Sequence, residues 1–207
     1  AYWLFRAMSS NTLVNNGPAL LNVALTLRLP VTPIIRATLF KHFCGGIDIS
    51  DCNYTIAKLW KSGIGSVLDY SVEGEEREEN FEQTTSQILL NIDRAKGDPS
   101  IPFTVFKMTG IAGMSILEKV SSGKSLSNND REAYDRVQKR VERICSHAAA
   151  KDVRIFIDAE ETWIQDTVDA LTILMMDVFN KRKAVIYNTI QLYRHDRLQF
   201  LIDSHTA

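Results

Sequence analysis

Val153-Arg-Ile-Phe-Ile-Asp-Ala-Glu-Glu161 is the stretch on which the fold turns. Its Ile-Phe-Ile run drives straight into Asp158, and two more carboxylates follow at once. A strand buried on both faces reads as a continuous apolar run rather than an alternating one, which is the mark of a parallel sheet. Proteins of the α/β class place their chemistry at the C-terminal ends of such strands, so Asp158 is a candidate for a site.

Working outward, three other segments share this texture: Ser66-Val-Leu-Asp-Tyr-Ser71, Pro102-Phe-Thr-Val-Phe-Lys-Met108 and Lys183-Ala-Val-Ile-Tyr-Asn188. Helical stripes separate them. Phe81, Thr85, Ile88, Leu89 and Ile92 share one face; so do Tyr134, Val137, Val141, Ile144 and Ala148, with Ser127 as cap. A third stripe carries Ile164, Val168, Leu171, Met175 and Val178, and a last helix begins near Asp196. Such alternation implies parallel strands joined by right-handed crossovers. The recurrence is near the roughly 30 residues per unit of a (β/α)8 barrel. A doubly wound open sheet has the same rhythm, but no Gly-x-Gly-x-x-Gly follows any strand, which favours the barrel.

Residues 1–62 read as a helical arm and residues 63–207 as the α/β part. In the arm, Gly17-Pro18 opens an apolar stretch that Pro30 closes. Val23, Leu25, Leu27 and Leu29 alternate as a strand would, and helix is the preferred reading. Ile34 to Phe43 is stopped by Gly45-Gly46, and Ser50 or Asp51 caps a helix running through Trp60.

Of the 207 residues, 45% are hydrophobic, enough for a sizeable core. Lys and Arg total 24 against 25 for Asp and Glu, a net charge of -1, which argues against a nucleic-acid partner. Cys44, Cys52 and Cys145 are odd in number and lack Cys-x-x-Cys spacing, so reduced thiols are expected and no zinc site is read. The most apolar stretch, Pro18 to Val31, falls short of the ~20 residues a membrane span needs. The start at Ala1 and the stop at Ala207, within a helical segment, read as cuts.

Each candidate strand finishes in a polar side chain: Asp69, Lys107, Asp158 and Asn188. Neighbouring strands lie about 4.8 Å apart, so the four would gather at one mouth. An anion, a cation and an amide together suit a zwitterion or a polar heterocycle. The plainer reading is that strands end in polar residues where the chain meets water. Glu160 and Glu161 could form an acid/base pair, but carboxylates opening a helix are favoured by its dipole, and that reading is preferred. Trp163 and Tyr193 could line a pocket, but core is the preferred reading, and Glu73 to Glu79 is read as a solvated run. His195 has no Ser or Cys partner for a triad.

Ile155-Phe-Ile-Asp-Ala-Glu-Glu161 with Val185-Ile-Tyr-Asn-Thr-Ile-Gln-Leu-Tyr193 resembles the proline dehydrogenase family. The similarity recurs at Phe103-Thr-Val-Phe-Lys-Met-Thr109, at Val67-Leu-Asp-Tyr-Ser-Val-Glu-Gly74 and at Thr38-Leu-Phe-Lys-His-Phe-Cys-Gly-Gly46, the last in the monofunctional form. The resemblance implies a flavoenzyme on a (β/α)8 barrel, oxidising L-proline to 1-pyrroline-5-carboxylate by hydride transfer to FAD, with a quinone as electron acceptor. It implies Lys107 as substrate-binding and Asp158 as the active-site aspartate; Asp69, at the end of the first strand, is read as substrate-binding beside them from the strand-end pattern. Ala159, Asn188 and Gln191 are implied as cofactor-binding, Asn188 standing where other members have glutamine.

The family's Arg-Gly-Ala-Tyr strand and paired arginines have no counterpart in these residues. The resemblance therefore implies the first half of a barrel, expected to be inactive alone and prone to pair with a second copy through its open edge. A bacterial cytoplasmic or a eukaryotic mitochondrial location follows, with no transmembrane segment and room for a peripheral membrane contact. Two other readings stand beside it: a non-catalytic barrel fragment acting as an interaction module, and a barrel lyase using Lys107 for a Schiff base.

Overall fold

Four short strands, β1 (Val67–Asp69), β2 (Phe103–Phe106), β3 (Ile155–Ile157) and β4 (Ile186–Asn188), lie side by side in chain order, every pair parallel. The computed structural model describes residues 2, 5–6, 9–70, 72, 74 and 76–206. Ser71, the expected end of the first strand, and Glu73 and Glu75 of the charge run lie outside the described residues. Two compact units are present, residues 1–58 and 59–207.

The first unit is helical. Helix α1 (Asn11–Thr26) takes in Val23 and Leu25 of the alternating run, and Leu27 and Leu29 lie beyond its end. Helix α2 spans residues 32–43, with α-helical Thr32–Ile35 and Lys41–Phe43 on either side of a π-helical turn at Arg36–Phe40. Helix α3 (Ile49–Trp60) continues into the second unit. Its first turn is held by Asp48 rather than by Ser50 or Asp51: Asp48 Oδ1 accepts from the Asp51 N–H at 2.9 Å. Only glycine fits at 46, where a Cβ would stand 2.6 Å from that of Asp51.

In the second unit each strand is followed by helix. After β1 comes α4 (Glu78–Ala95), after β2 a 3-10 turn (Met108–Gly110), α5 (Met114–Ser121) and α6 (Asn128–Lys151), after β3 α7 (Gln165–Phe179), and after β4 α8 (Arg197–Thr206). The order β1-β2-β3-β4 with helical crossovers is that of consecutive units of a (β/α) barrel. Ser127 caps α6 in a full capping box with Asp130. Helix α5 was not visible in the sequence, because glycines at 110, 113 and 123 crowd its eight residues and only Ile116 and Leu117 are buried.

The register sorts the side chains. Leu68, Thr104, Ile155 and Ile186 form one rung, and Phe106, Ile157 and Asn188 the next-but-one, on the same face. That face packs under the helices: Thr104, Ile155, Ile157 and Ile186 are fully buried, with Ile88, Val141, Ile144 and Val168 over them in the same core. Burying a side chain of this size stabilises by about 1.5–3 kcal/mol. The stripes read from sequence are buried, save Tyr134 and Leu89, half-buried, and Val178, exposed. Arg140 is buried too; its Nε donates to the Ile111 carbonyl at 2.7 Å and its Nη1 to Glu78 Oε2 at 2.7 Å, tying α6 to the turn after β2.

The other face carries Val67 and Asp69, Phe103 and Val105, Phe156 and Tyr187. Phe103 and Phe156 stack at 4.4 Å between centroids, with Tyr187 edge-on to both. In a barrel this face points inward.

Candidate active site

Lys107 and Asp158 each follow the last residue of a strand, and their strands are adjacent. Phe106 pairs with Ile157, so the next residues along are level and both project from the inner face. Lys107 Nζ lies 3.5 Å from Asp158 Oδ2, both side chains half-buried. Asp69 ends β1 on the same face, level with Val105 and two residues short of Lys107, and is exposed. The sheet therefore brings Asp69, Lys107 and Asp158 to one mouth.

The Asp158 carboxylate is held from its other side. Oδ1 accepts from the Ala159 N–H at 3.1 Å and lies 3.2 Å from Thr189 Oγ1. The Ala159 N–H also reaches Thr189 Oγ1, at 2.5 Å, so protein acceptors already engage it. Thr189 was not singled out from sequence; a Thr one past an Asn gives no signal until β4 is known to end there.

Asn188 does not join the mouth. It shares a rung with Phe106 and Ile157, on the helix-facing side, and its Nδ2 donates to Asp169 Oδ1 on α7 at 2.9 Å. Its Oδ1 accepts from the Thr189 N–H at 2.9 Å, so both ends of the amide are engaged. Asp169 is buried, takes Gln165 Nε2 at 3.0 Å, and forms an ion pair with the buried Arg197 at the start of α8. Gln191 differs. Its Nε2 donates to the Glu160 carbonyl at 2.6 Å, while its Oε1 is buried and accepts no hydrogen bond among the described residues.

Glu160 opens no helix: α7 starts only at Gln165. Its carboxylate instead takes the Thr109 N–H at 3.0 Å and the Thr109 hydroxyl, joining the segments after β3 and β2. Burial pushes the Glu160 carboxyl up from its ordinary value; the Thr109 bonds and Lys107 pull it down, and Glu161 adds to the rise. Glu161 Oε2 is buried without a partner among the described residues. Trp163 and Tyr193 are exposed rather than core, on the segments after β3 and β4. Among the described residues no group of His, Cys, Asp and Glu could hold a metal, and no helix is long and apolar enough to cross a membrane.

A parallel β/α sheet in chain order, with polar side chains at the carboxyl ends of adjacent strands, is the arrangement of part of a (β/α) barrel. The particular family follows from comparison: residues 52–207 match proline dehydrogenase, and the chain belongs to that family. It is 35% identical over 159 residues to the carbapenem antibiotics biosynthesis protein CarD of Pectobacterium carotovorum subsp. carotovorum, covering 77% of this chain and 42% of that protein. It is 26% identical over 231 residues to the mitochondrial proline dehydrogenase 1 of Dictyostelium discoideum, covering 93% of this chain and 40% of that protein. The chain thus spans about two fifths of the length of these relatives. Proline utilization A from Bdellovibrio bacteriovorus, in a structure inactivated by N-propargylglycine, superposes with a TM-score of 0.65 at 15% identity, over 79% of this chain and 18% of that one. That likeness speaks for the fold.

Proposed function

We propose that the whole protein oxidises L-proline to 1-pyrroline-5-carboxylate with FAD as its redox group, residues 63–207 supplying the first half of the barrel and residues 1–62 an N-terminal arm. The observation that carries this reading is the Lys107–Asp158 pair on the inner face, in a chain of the proline dehydrogenase family. The residues fit a flavin: Gln191 offers a buried acceptor without a partner among the described residues, suited to a ring N–H, and Lys107 offers a half-buried cation. When bound, the flavin supplies the hydride acceptor.

This chain's own residues bind and orient. The Lys107 ammonium attracts the substrate carboxylate and stabilises negative charge developing near it. Asp158, fixed by Thr189 and the Ala159 N–H, holds that ammonium toward the mouth. Asp69 adds a second anion, suited to the ring nitrogen of a zwitterion. Asn188 serves by bracing β4 against α7. The Schiff-base reading is not favoured, because a lysine that anchors an aspartate is poorly disposed to attack a carbonyl, and family membership disfavours a module without catalysis. We further propose a quinone as electron acceptor; the mitochondrial names of eukaryotic relatives support a mitochondrial location if the chain is eukaryotic.

The test uses the full-length protein. L-Proline should bleach a visible flavin band without oxygen, and a soluble quinone should restore it. Lys107→Ala should lower kcat/KM for proline by on the order of 100-fold. A colourless protein that ignores added FAD, or a flavoprotein indifferent to proline, overturns the reading.

A further inference from the structure

We propose that Glu160 is a positioning residue for the Lys107–Asp158 pair, fixing their separation by clasping the backbone just past Lys107 to the backbone just past Asp158. The inference rests on the function proposed above for the pair itself. At 3.5 Å the Lys107–Asp158 contact is longer than the roughly 2.7–2.9 Å of a strong charge-assisted bond, so the ion pair does not set its own spacing. The main chain contributes to it: the last bond between β2 and β3 runs from the Asp158 N–H to the Phe106 carbonyl at 3.0 Å, and both strands end there.

Beyond those ends Glu160 takes over. Its two carboxylate oxygens receive the N–H and the hydroxyl of Thr109, two residues past Lys107. Its own backbone is held on both sides: the N–H donates to Gln165 Oε1 at 2.9 Å, and the carbonyl accepts from Gln191 Nε2 at 2.6 Å. Thr109 is equally confined. It is buried, and the next residue, Gly110, packs so closely on β1's exit that a Cβ there would stand 2.7 Å from the Val72 carbonyl oxygen. The Glu160 side chain thereby ties the exit of β2 to that of β3, the Glu160 carbonyl ties in the exit of β4 through Gln191, and β1's exit is pressed against the same turn. Glu160 stands behind the mouth and acts through Lys107 and Asp158.

The experiment uses the full-length protein with Glu160→Ala, Glu160→Gln, Thr109→Val and Thr109→Ser. A glutamine amide can accept the Thr109 N–H and donate to its hydroxyl, so it keeps the clasp without the charge. The first readout needs no turnover: the rate of reductive methylation of Lys107, resolved by peptide mass spectrometry against exposed Lys181. Glu160→Ala should accelerate labelling of Lys107 severalfold and leave Lys181 alone, while Glu160→Gln and Thr109→Ser should match the parent. Thr109→Val, which loses one of the two bonds, should fall between, and decides the matter if Glu160→Ala does not fold.

The second readout is kcat/KM for L-proline, expected to fall roughly tenfold to a hundredfold in Glu160→Ala. Glu160→Gln should restore it, and the loss should vanish in a Lys107→Ala background. Unchanged Lys107 labelling in both Glu160→Ala and Thr109→Val, a Gln variant as damaged as the Ala variant, or an equal penalty in the Lys107→Ala background overturns the proposal. A parent protein inert toward proline sinks the function reading alone, since the labelling pattern still decides the clasp.

Discussion

Burial raises the Glu160 carboxyl above its ordinary value, and the opposing Thr109 bonds do not fully cancel it. The folded chain therefore holds that proton more tightly than the unfolded chain does. Its contribution to stability is complete in acid and declines as pH rises from the ordinary glutamate value, about 4.3, through the raised folded one. Glu160→Gln, which keeps the Thr109 bonds and never ionises, should raise the urea midpoint at neutral pH, with the gain disappearing below about pH 4. A gain that persisted unchanged in acid would show the carboxylate's charge to be irrelevant. At this scale the sequence was partly legible. Lys107 and Asp158 could be found because each is the first polar residue after an apolar run. The side on which Asn188 falls could not, because a strand buried on both faces shows no alternation from which to read parity, so only the observed register places it toward α7.

Helices α7 and α8 are joined by a pair that no local pattern announces. Asp169 and Arg197 are both buried, 28 positions apart, and Asn188 and Gln165 complete the carboxylate's partners. In sequence Asp169 looks like any polar residue of an amphipathic helix; its role appears only when β4 and α8 arrive beside it. Asp169→Ala would leave a guanidinium buried with its partner gone, at a cost of about 3–5 kcal/mol, whereas replacing both residues with leucine and methionine should cost much less. Chemical denaturation of the single and double variants measures both. The cap of α6 was readable, by contrast, because Ser127 and Asp130 carry the capping box within four consecutive residues.

For the whole molecule, strand order ranks local stability. β2 and β3 are paired on both sides, and β1 and β4 on one among the described residues. Amide hydrogen exchange should be slowest at Phe106, Ile155 and Ile157 and faster along β1; a β1 as protected as β3 would contradict that ranking. The parallel β/α order was legible from alternating textures alone, since crossover helices and buried strands differ in period. Barrel geometry was less so, because curvature is a property of strand packing rather than of any one segment. The shared register also has a genetic consequence. Loss of a single codon between Phe103 and Phe106 would shift Lys107 by one pleat, turning its ammonium from the inner face into the packing beneath the helices. Between α5 and α6 the same event is harmless in kind, since Gly123 has open space around it and no rung to keep. Single-residue deletions in the connection between α5 and α6 should therefore leave Lys107 labelling and folding intact, whereas one within β2 should abolish both.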